Sequence, residues 1–164
     1  MKHINNLNSN PYNCSGCSAC LSACPKQCIT MMTDEEGFLY PQIDQQECVE
    51  CGLCARVCPW LHRTKPNVEK YPQVYAVKHK SNSIRESSTS GGAFSSIAEY
   101  VLTLEGVIYG AAFVRETQRV EHICINKNSD LYRLRGSKYV QSYIGNTYTK
   151  VNTEYSKLKQ RVDK

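Results

Sequence analysis

The 164-residue sequence has no long apolar segment. No apolar run approaches the roughly 20 residues that a transmembrane helix requires, so we predict no membrane span. The first 11 residues are polar and rich in asparagine, without the apolar centre of a secretory signal. We therefore expect a cytoplasmic protein. In that reducing compartment, cysteine thiols bind metals more often than they form disulfides.

Cysteine is almost absent from the second half of the sequence. Nine of the ten cysteines lie between Cys14 and Cys58, and Cys124 is the only one beyond. A content of 41% hydrophobic and 21% charged residues is typical of a globular chain rather than a disordered one. We predict a flexible tail at 1–11, a cysteine-rich domain at 12–64, a linker at 65–72 and a second domain with α/β patterning at 73–164.

The cysteine-rich domain contains an internal repeat. The pattern Cys-x2-Cys-x2-Cys-x3-Cys-Pro begins at Cys14 and recurs 34 residues later, beginning at Cys48. This is the bacterial ferredoxin pattern, in which three closely spaced cysteines bind one [4Fe-4S] cluster and the fourth binds the other. We therefore predict two clusters with crossed ligands. The first is bound by Cys14, Cys17, Cys20 and Cys58, and the second by Cys48, Cys51, Cys54 and Cys24.

Two other structures for this domain are less consistent with the repeat. A zinc ribbon uses two CxxC pairs and does not account for third and fourth cysteines placed identically in both halves. A disulfide core needs an oxidising compartment, and cysteines in a CxxCxxC sequence are too close to pair well. Cys28 belongs to neither repeat, and we predict that it is a small apolar residue that begins a buried strand.

The net charge gives no indication of a nucleic-acid partner. The formal value is +5 with every cysteine counted as neutral. Thiolates around two oxidised cubane cores add a charge of roughly −2 per cluster. The protein with both clusters bound therefore has a net charge of about +1. We therefore predict no nucleic-acid binding.

The pattern of apolar and turn residues predicts an α+β chain. In the first domain, strands at 28–32 and 38–43 flank a turn at 34–37. In the second domain we predict an amphipathic helix at 93–105 and an apolar stripe on a last helix at 144–162, which packs on a sheet. Ser129 and Asp130 cap a short helix, and Cys124 is a packed thiol. The predicted strands of this domain lie at 74–78, 107–114 (buried) and 119–126.

Two glycine-bearing segments could bind an anion. Residues 88–92 precede the helix that begins at 93, where free backbone N–H groups and the helix dipole favour phosphate. Residues 135–138 add cations and a tight turn. The alternatives are a helix cap without a ligand and a solvated basic loop, and local sequence does not decide between these and an anion site.

Residues 87–94, 106–113 and 134–142 resemble the N-terminal part of the coenzyme F420 hydrogenase/dehydrogenase beta-subunit family. The resemblance implies a ferredoxin-like dicluster domain followed by a partial α/β flavin-type domain. It also implies bound FAD, with Ser90, Gly91 and Gly92 as flavin contacts and Gly136, Ser137 and Lys138 as weaker candidates. Members of the family are longer than this chain. An oxidoreductase of this type would therefore need the missing C-terminal part.

Three functions follow from these features. The chain is an electron-entry portion of a flavin-dependent oxidoreductase, a stand-alone dicluster ferredoxin-like carrier, or a non-catalytic module that a partner chain completes. The expected partners are a redox protein or the missing C-terminal domain. No catalytic residue is predicted.

Overall fold

The computed structural model describes residues 14–62 and 73–162 and divides the chain into two compact units, residues 1–69 and 70–164. Both units contain helices and strands, so the predicted mixture of α and β structure is confirmed. The predicted tail at 1–11 and the predicted linker at 65–72 lie outside the described residues. No helix in the described part of the chain has the length and apolar character needed to cross a membrane.

The first unit is an antiparallel hairpin placed between two short helices. Helix α1 (Ala19–Ala23) precedes strands β1 (Ile29–Thr33) and β2 (Leu39–Ile43), and helix α2 (Leu53–Arg56) follows them. Ile29 pairs with Ile43 at the open end of the hairpin. At the turn, Asp34 Oδ1 accepts the backbone N–H groups of residues 36 and 38, at 3.0 and 2.8 Å. The predicted strands and turn are therefore present, with their bounds shifted by one residue.

The sequence repeat is also a repeat of backbone conformation. Gly16 and Glu50 occupy equivalent positions and have φ values of 63° and 50°. Ser18 and Gly52, also equivalent, have φ values of 59° and 71° and directly precede α1 and α2. A left-handed residue turns the chain sharply. Each repeat therefore turns tightly between its first two cysteines and the third, which lies in the first turn of the helix.

Cysteines form much of the core of the first unit. The buried residues of this core pack against one another and are Cys20, Cys28, Ile29, Ile43 and Cys58. So small a unit buries little apolar surface, and metal binding in such domains supplies part of the folding free energy. We expect the clusters to contribute to the stability of this unit.

The second unit has a two-stranded antiparallel sheet with helices before and after it. Its elements are α3 (Asn82–Glu86), α4 (Ala93–Thr103), β3 (Ile108–Val114), β4 (Arg119–Ile125), a 3-10 helix (Asn128–Arg133) and α5 (Thr147–Val162). Helix α4 contacts β3 and the 3-10 helix. The core that results consists of Ala98, Ala112, Ile125, Leu131 and Leu134.

The predicted strand at 74–78 is wrong. This segment is irregular, and it pairs with no strand among the described residues. Val74, Tyr75 and Val77 are exposed, so their β-forming side chains have no sheet on which to pack. The end of the segment is instead held by the His79 N–H group, which donates to the Gly91 carbonyl at 2.6 Å.

Four further expectations for this unit need correction. Strand β3 was predicted to be buried, but only Ala112 is buried, because a sheet of two strands covers little of its own surface. Cys124 is exposed rather than packed. The short helix is a 3-10 helix whose first turn receives no capping bond from a side chain. The apolar stripe of α5 is also not covered, since Val151 and Tyr155 are exposed.

Candidate metal centres and an anion-binding pocket

Four cysteine thiols line a cavity in the first unit. The cavity has about 320 Å³ of space, part of it open to solvent. Its apolar wall includes Met31, Pro41 and Trp60. The cysteines that it brings together are Cys14, Cys17, Cys20 and Cys58. Three of them come from the first repeat and one from the second, which is the grouping that the crossed assignment predicts for the first cluster.

A second cavity collects the remaining cysteines of the repeat. It has about 360 Å³ of space, also partly open, and its apolar wall includes Ile29, Ile43 and Val49. The repeat cysteines that line it are Cys24, Cys48, Cys51 and Cys54. The contribution of Cys24 again crosses between the repeats. The ligand roles of all eight thiols stay predictions.

Helix α1 explains why Cys20 and Cys24 line different cavities. Cys20 lies in the first turn of α1, directly after the loop that holds Cys14. The helix ends at Ala23, and Cys24 has extended φ and ψ values of −77° and 112°. Pro25 follows and cannot continue the helix. The chain therefore leaves the first cavity at this point and carries the Cys24 thiol to the second.

Crowding and burial raise the pKa of thiols in the first cavity. Burial is the largest cause for Cys20, whose pKa is raised to about 12. Burial also raises the pKa of Cys14, with further contributions from the neighbouring sulfurs of Cys17 and Cys58. The Gly16 N–H group opposes this by donating to Cys14 Sγ at 3.4 Å. Metal binding at such thiols must release protons, because iron binds the thiolate.

Hydrogen bonds from several groups reach the Cys24 thiol. Burial alone would raise its pKa, but the N–H groups of Cys28, Lys26 and Gln27 and the Cys28 thiol together lower it. The same thiol contact, with Cys28 Sγ at 3.4 Å from Cys24 Sγ, is the main cause that raises the pKa of Cys28 to about 11. The contact therefore shifts the two pKa values in opposite directions, so the thiolate form is favoured more at Cys24 than at Cys28.

The arrangement of the thiols fits cubane clusters. Among residues 14–62 and 73–162, no three His, Cys, Asp or Glu side chains are spaced to bind one metal ion together. A [4Fe-4S] cluster takes one thiolate on each of four irons, so its ligands border a cavity and need not converge on one point. Each cavity has an apolar wall and is lined by four cysteines of the repeats, which is the donor set that such a cluster requires.

Cys28 has a position that sequence reasoning missed. It is buried beside Ile29 and Ile43, as expected for a residue at the start of a buried strand. It also lines the second cavity as a fifth thiol. The spacing of four residues from Cys24, across Pro25, was the available signal, because a turn of that length can return the chain to the same cavity.

The two glycine-bearing segments of the second unit form one pocket. It has about 580 Å³ of space and is open to solvent. Residues 88–90 and 92–94 line one side, and residues 134–137 line the other. The structure thereby brings together Ser90, Gly92, Gly136 and Ser137, which are four of the six residues that the resemblance implied for flavin contact.

Gly91 and Lys138 do not line this pocket. A Cβ atom at Gly91 would lie 2.4 Å from the Val77 carbonyl oxygen, so this glycine serves the close packing of two backbone segments. The Lys138 ammonium group donates to the carbonyls of Arg135 and Gly136, at 2.8 and 3.0 Å, and closes its own loop. Burial lowers the pKa of Lys138. Their roles in flavin contact stay predictions that the geometry does not favour.

Arg135 supplies the cation at the pocket. Its Nε–H group donates to Ser95 Oγ at 3.0 Å, and one terminal N–H group donates to Ser87 Oγ at 3.2 Å. These bonds hold the guanidinium beside the first turn of α4. That turn begins after Gly92, whose φ is 78°, and it has no side-chain cap and no acidic residue. A helix N-terminus beside a fixed arginine can bind a phosphate group.

Two family models match successive parts of the chain. Residues 13–61 match the family model of the 4Fe-4S dicluster domain. Residues 74–146 match the N-terminal region of the coenzyme F420 hydrogenase/dehydrogenase beta subunit. The two matches confirm the resemblance and the order of its two parts.

Three curated relatives are similar to part of the chain. Ketoisovalerate oxidoreductase subunit VorC of Methanothermobacter marburgensis is 29% identical over 63 residues, which cover 37% of this chain and 80% of that protein. A ferredoxin of Saccharopolyspora erythraea is 33% identical over 69 residues, 34% of this chain and 60% of the ferredoxin. The putative oxidoreductase UacF of Escherichia coli is 35% identical over 54 residues, 32% of this chain and 8% of UacF.

Proposed function

We propose that this iron–sulfur electron-transfer protein is the electron-entry portion of a flavin-dependent oxidoreductase. Its 4Fe-4S dicluster domain precedes a region that matches the N-terminal part of the coenzyme F420 hydrogenase/dehydrogenase beta subunit. The observation that carries the proposal is the pair of cavities, each lined by four cysteines drawn from both repeats. Clusters bound there would supply transfer of single electrons.

The residues around the two cavities control access of water and the charge on sulfur. Trp60, Met31 and Pro41 cover the first cavity, and Ile29 and Ile43 cover the second. Backbone N–H groups donate to ligand sulfurs in both. Solvent exclusion and hydrogen bonds to sulfur are two means by which a protein sets the reduction potential of a cluster. Cys51 is exposed, so an electron donor or acceptor could approach the second cavity at this residue.

The pocket of the second unit supports binding of FAD through its diphosphate. The N-terminus of α4 with Gly92 lines one side of the space and Arg135 the other, so an anion between them would meet both. Ser90 and Ser137 have hydroxyl groups at its edge. FAD bound there would supply the change from single electrons to electron pairs. The electron-pair acceptor beyond the flavin is a substrate that the chain does not specify.

An exposed apolar face favours completion of the site by a further domain or a partner chain. Ile97 and Tyr100 on α4, and Leu104 directly after its last residue, are 66%, 65% and 64% exposed. An apolar face of this kind on a soluble helix commonly marks an interaction site. VorC is by name a subunit of an oxidoreductase, which is consistent with a protein of this class that works with partner subunits. The remaining alternative is a stand-alone dicluster carrier.

FAD titration of the anaerobically purified protein tests the proposal. Quenching of flavin fluorescence should saturate at about one FAD per chain, as expected for one pocket of this kind. When oxidised FAD is added in saturating amount to protein whose clusters were reduced with dithionite, and from which the excess was removed, bound FAD should be reduced by the clusters at a rate independent of protein concentration. Intact clusters without FAD binding would contradict the flavin role of this chain and favour the carrier.

A further inference from the structure

The second cavity contains one more thiol than a cluster needs. Cys28 lines it together with the four predicted ligands, and Cys28 Sγ lies 3.4 Å from Cys24 Sγ. The side chain is 8% exposed and packs in the core of the unit, so its position is fixed. The first cavity, in contrast, is lined by four cysteines only.

The fifth thiol, Cys28, contacts the Cys24 thiol but has no iron to coordinate. Four irons are matched by the four repeat cysteines, so Cys28 stays outside the coordination sphere. A thiol is a weak hydrogen-bond donor, and a thiolate can only accept. When Cys24 binds iron as a thiolate, the one proton in the contact between the two sulfurs belongs to Cys28.

We propose that Cys28 is a positioning residue of the second cluster, whose thiol donates a hydrogen bond to the Cys24 ligand and raises the reduction potential of that cluster. The proposal rests on the crossed ligand assignment. A donor at the ligand sulfur withdraws negative charge from it and stabilises the more negative, reduced state of the cluster.

The hydrogen bond makes the two clusters unequal. The position four residues after Cys58, which corresponds to Cys28 in the other repeat, is His62. His62 is exposed and does not line the first cavity. The two repeats are otherwise closely alike at the cysteines and in the turns before the helices. Cys28 is therefore a residue by which this sequence separates the potentials of two similar clusters.

Three variants test the proposal. Cys28→Val removes the donor but keeps apolar bulk and the backbone N–H group, and a β-branched residue suits the position before β1. Cys28→Ser keeps a donor. Cys124→Val removes an exposed thiol in the other unit and serves as the matched control. After iron and sulfide content has been measured, anaerobic redox titration with electron paramagnetic resonance gives the potential of each cluster.

We expect Cys28→Val to lower the potential of one cluster and leave the other unchanged. Cys28→Ser should give a smaller shift, and Cys124→Val should give none. The affected signal is assigned by its loss in Cys54→Ser. Full iron content with unshifted potentials in Cys28→Val would overturn the proposal. Loss of the second cluster in both Cys28 variants would also overturn it, because Cys28 would then be a ligand.

A measurement on the unsubstituted protein covers the case in which Cys28→Val does not fold. Deuterium exchange should shift the Fe–S(Cys) stretching bands in resonance Raman spectra, and Cys28→Ala, which has no side-chain donor, should reduce the shift for the second cluster. Identical shifts in both proteins would contradict the donor role. Iron-free unsubstituted protein would contradict the cluster assignment and this proposal with it, whereas absence of flavin alone would leave this proposal standing.

Discussion

Cys58→Ser is expected to eliminate the cluster that Cys14, Cys17 and Cys20 bind, although Cys58 belongs to the other repeat. The Cys58 thiol lines the first cavity, and a serine hydroxyl is a poor replacement for a thiolate ligand of iron. Iron content should fall from about eight to about four atoms per chain. The electron paramagnetic resonance spectrum of the cluster that remains should match that of Cys20→Ser.

Cys54→Ser provides the comparison for this result. It should remove the other cluster and leave the signal that Cys58→Ser loses, because its thiol lines the second cavity. If Cys58→Ser and Cys54→Ser lost the same cluster, each repeat would bind its own cluster and the crossed assignment would be wrong. Cys58 is a better test than Cys24, because Cys28 lies 3.4 Å from Cys24 and could replace it.

Ser90→Glu is expected to weaken FAD binding by tenfold or more, which corresponds to about 1.4 kcal/mol. Ser90 lines the pocket and lies two residues before Gly92, the N-cap residue of α4. A carboxylate there repels the flavin diphosphate and competes for the N–H groups at the helix N-terminus. The affinity is measured by quenching of flavin fluorescence in oxidised protein.

Ser96→Glu is the matched control for Ser90→Glu. Ser96 lies on α4 and is exposed, but it does not line the pocket. It receives the same charge six positions further along the chain, so any general effect of an added carboxylate appears in both variants. Equal loss of affinity in the two variants would mean that the pocket between residues 88–94 and 134–137 is not where FAD binds.

The cysteine spacing predicted how the cavities are lined because it controls local geometry. A loop with left-handed residues at Gly16 and Ser18 holds three cysteines together, and the break after Ala23 moves the fourth away. Both features are short-range and recur at the second repeat. The sequence could therefore predict which cysteines share a cavity, including the pairs that cross between repeats.

Features that depend on distant neighbours were less predictable. The segment 74–78 has strand-forming residues, but no strand among the described residues lies beside it. Lys138 follows two pocket residues in sequence, yet its ammonium group turns back to the carbonyls of its own loop. Arg135 was named only as part of a basic turn. Its bonds to Ser95 and Ser87, which lie 40 and 48 positions earlier in the chain, place it at the pocket.

The measurement that tests the central claim most directly is the iron and acid-labile sulfide content of the full chain, purified without oxygen. The account predicts about eight atoms of each per chain, which is the content of two [4Fe-4S] clusters. Zinc in place of iron, or colourless protein without metal, would contradict it, since the eight cysteines would then line the two cavities for another purpose.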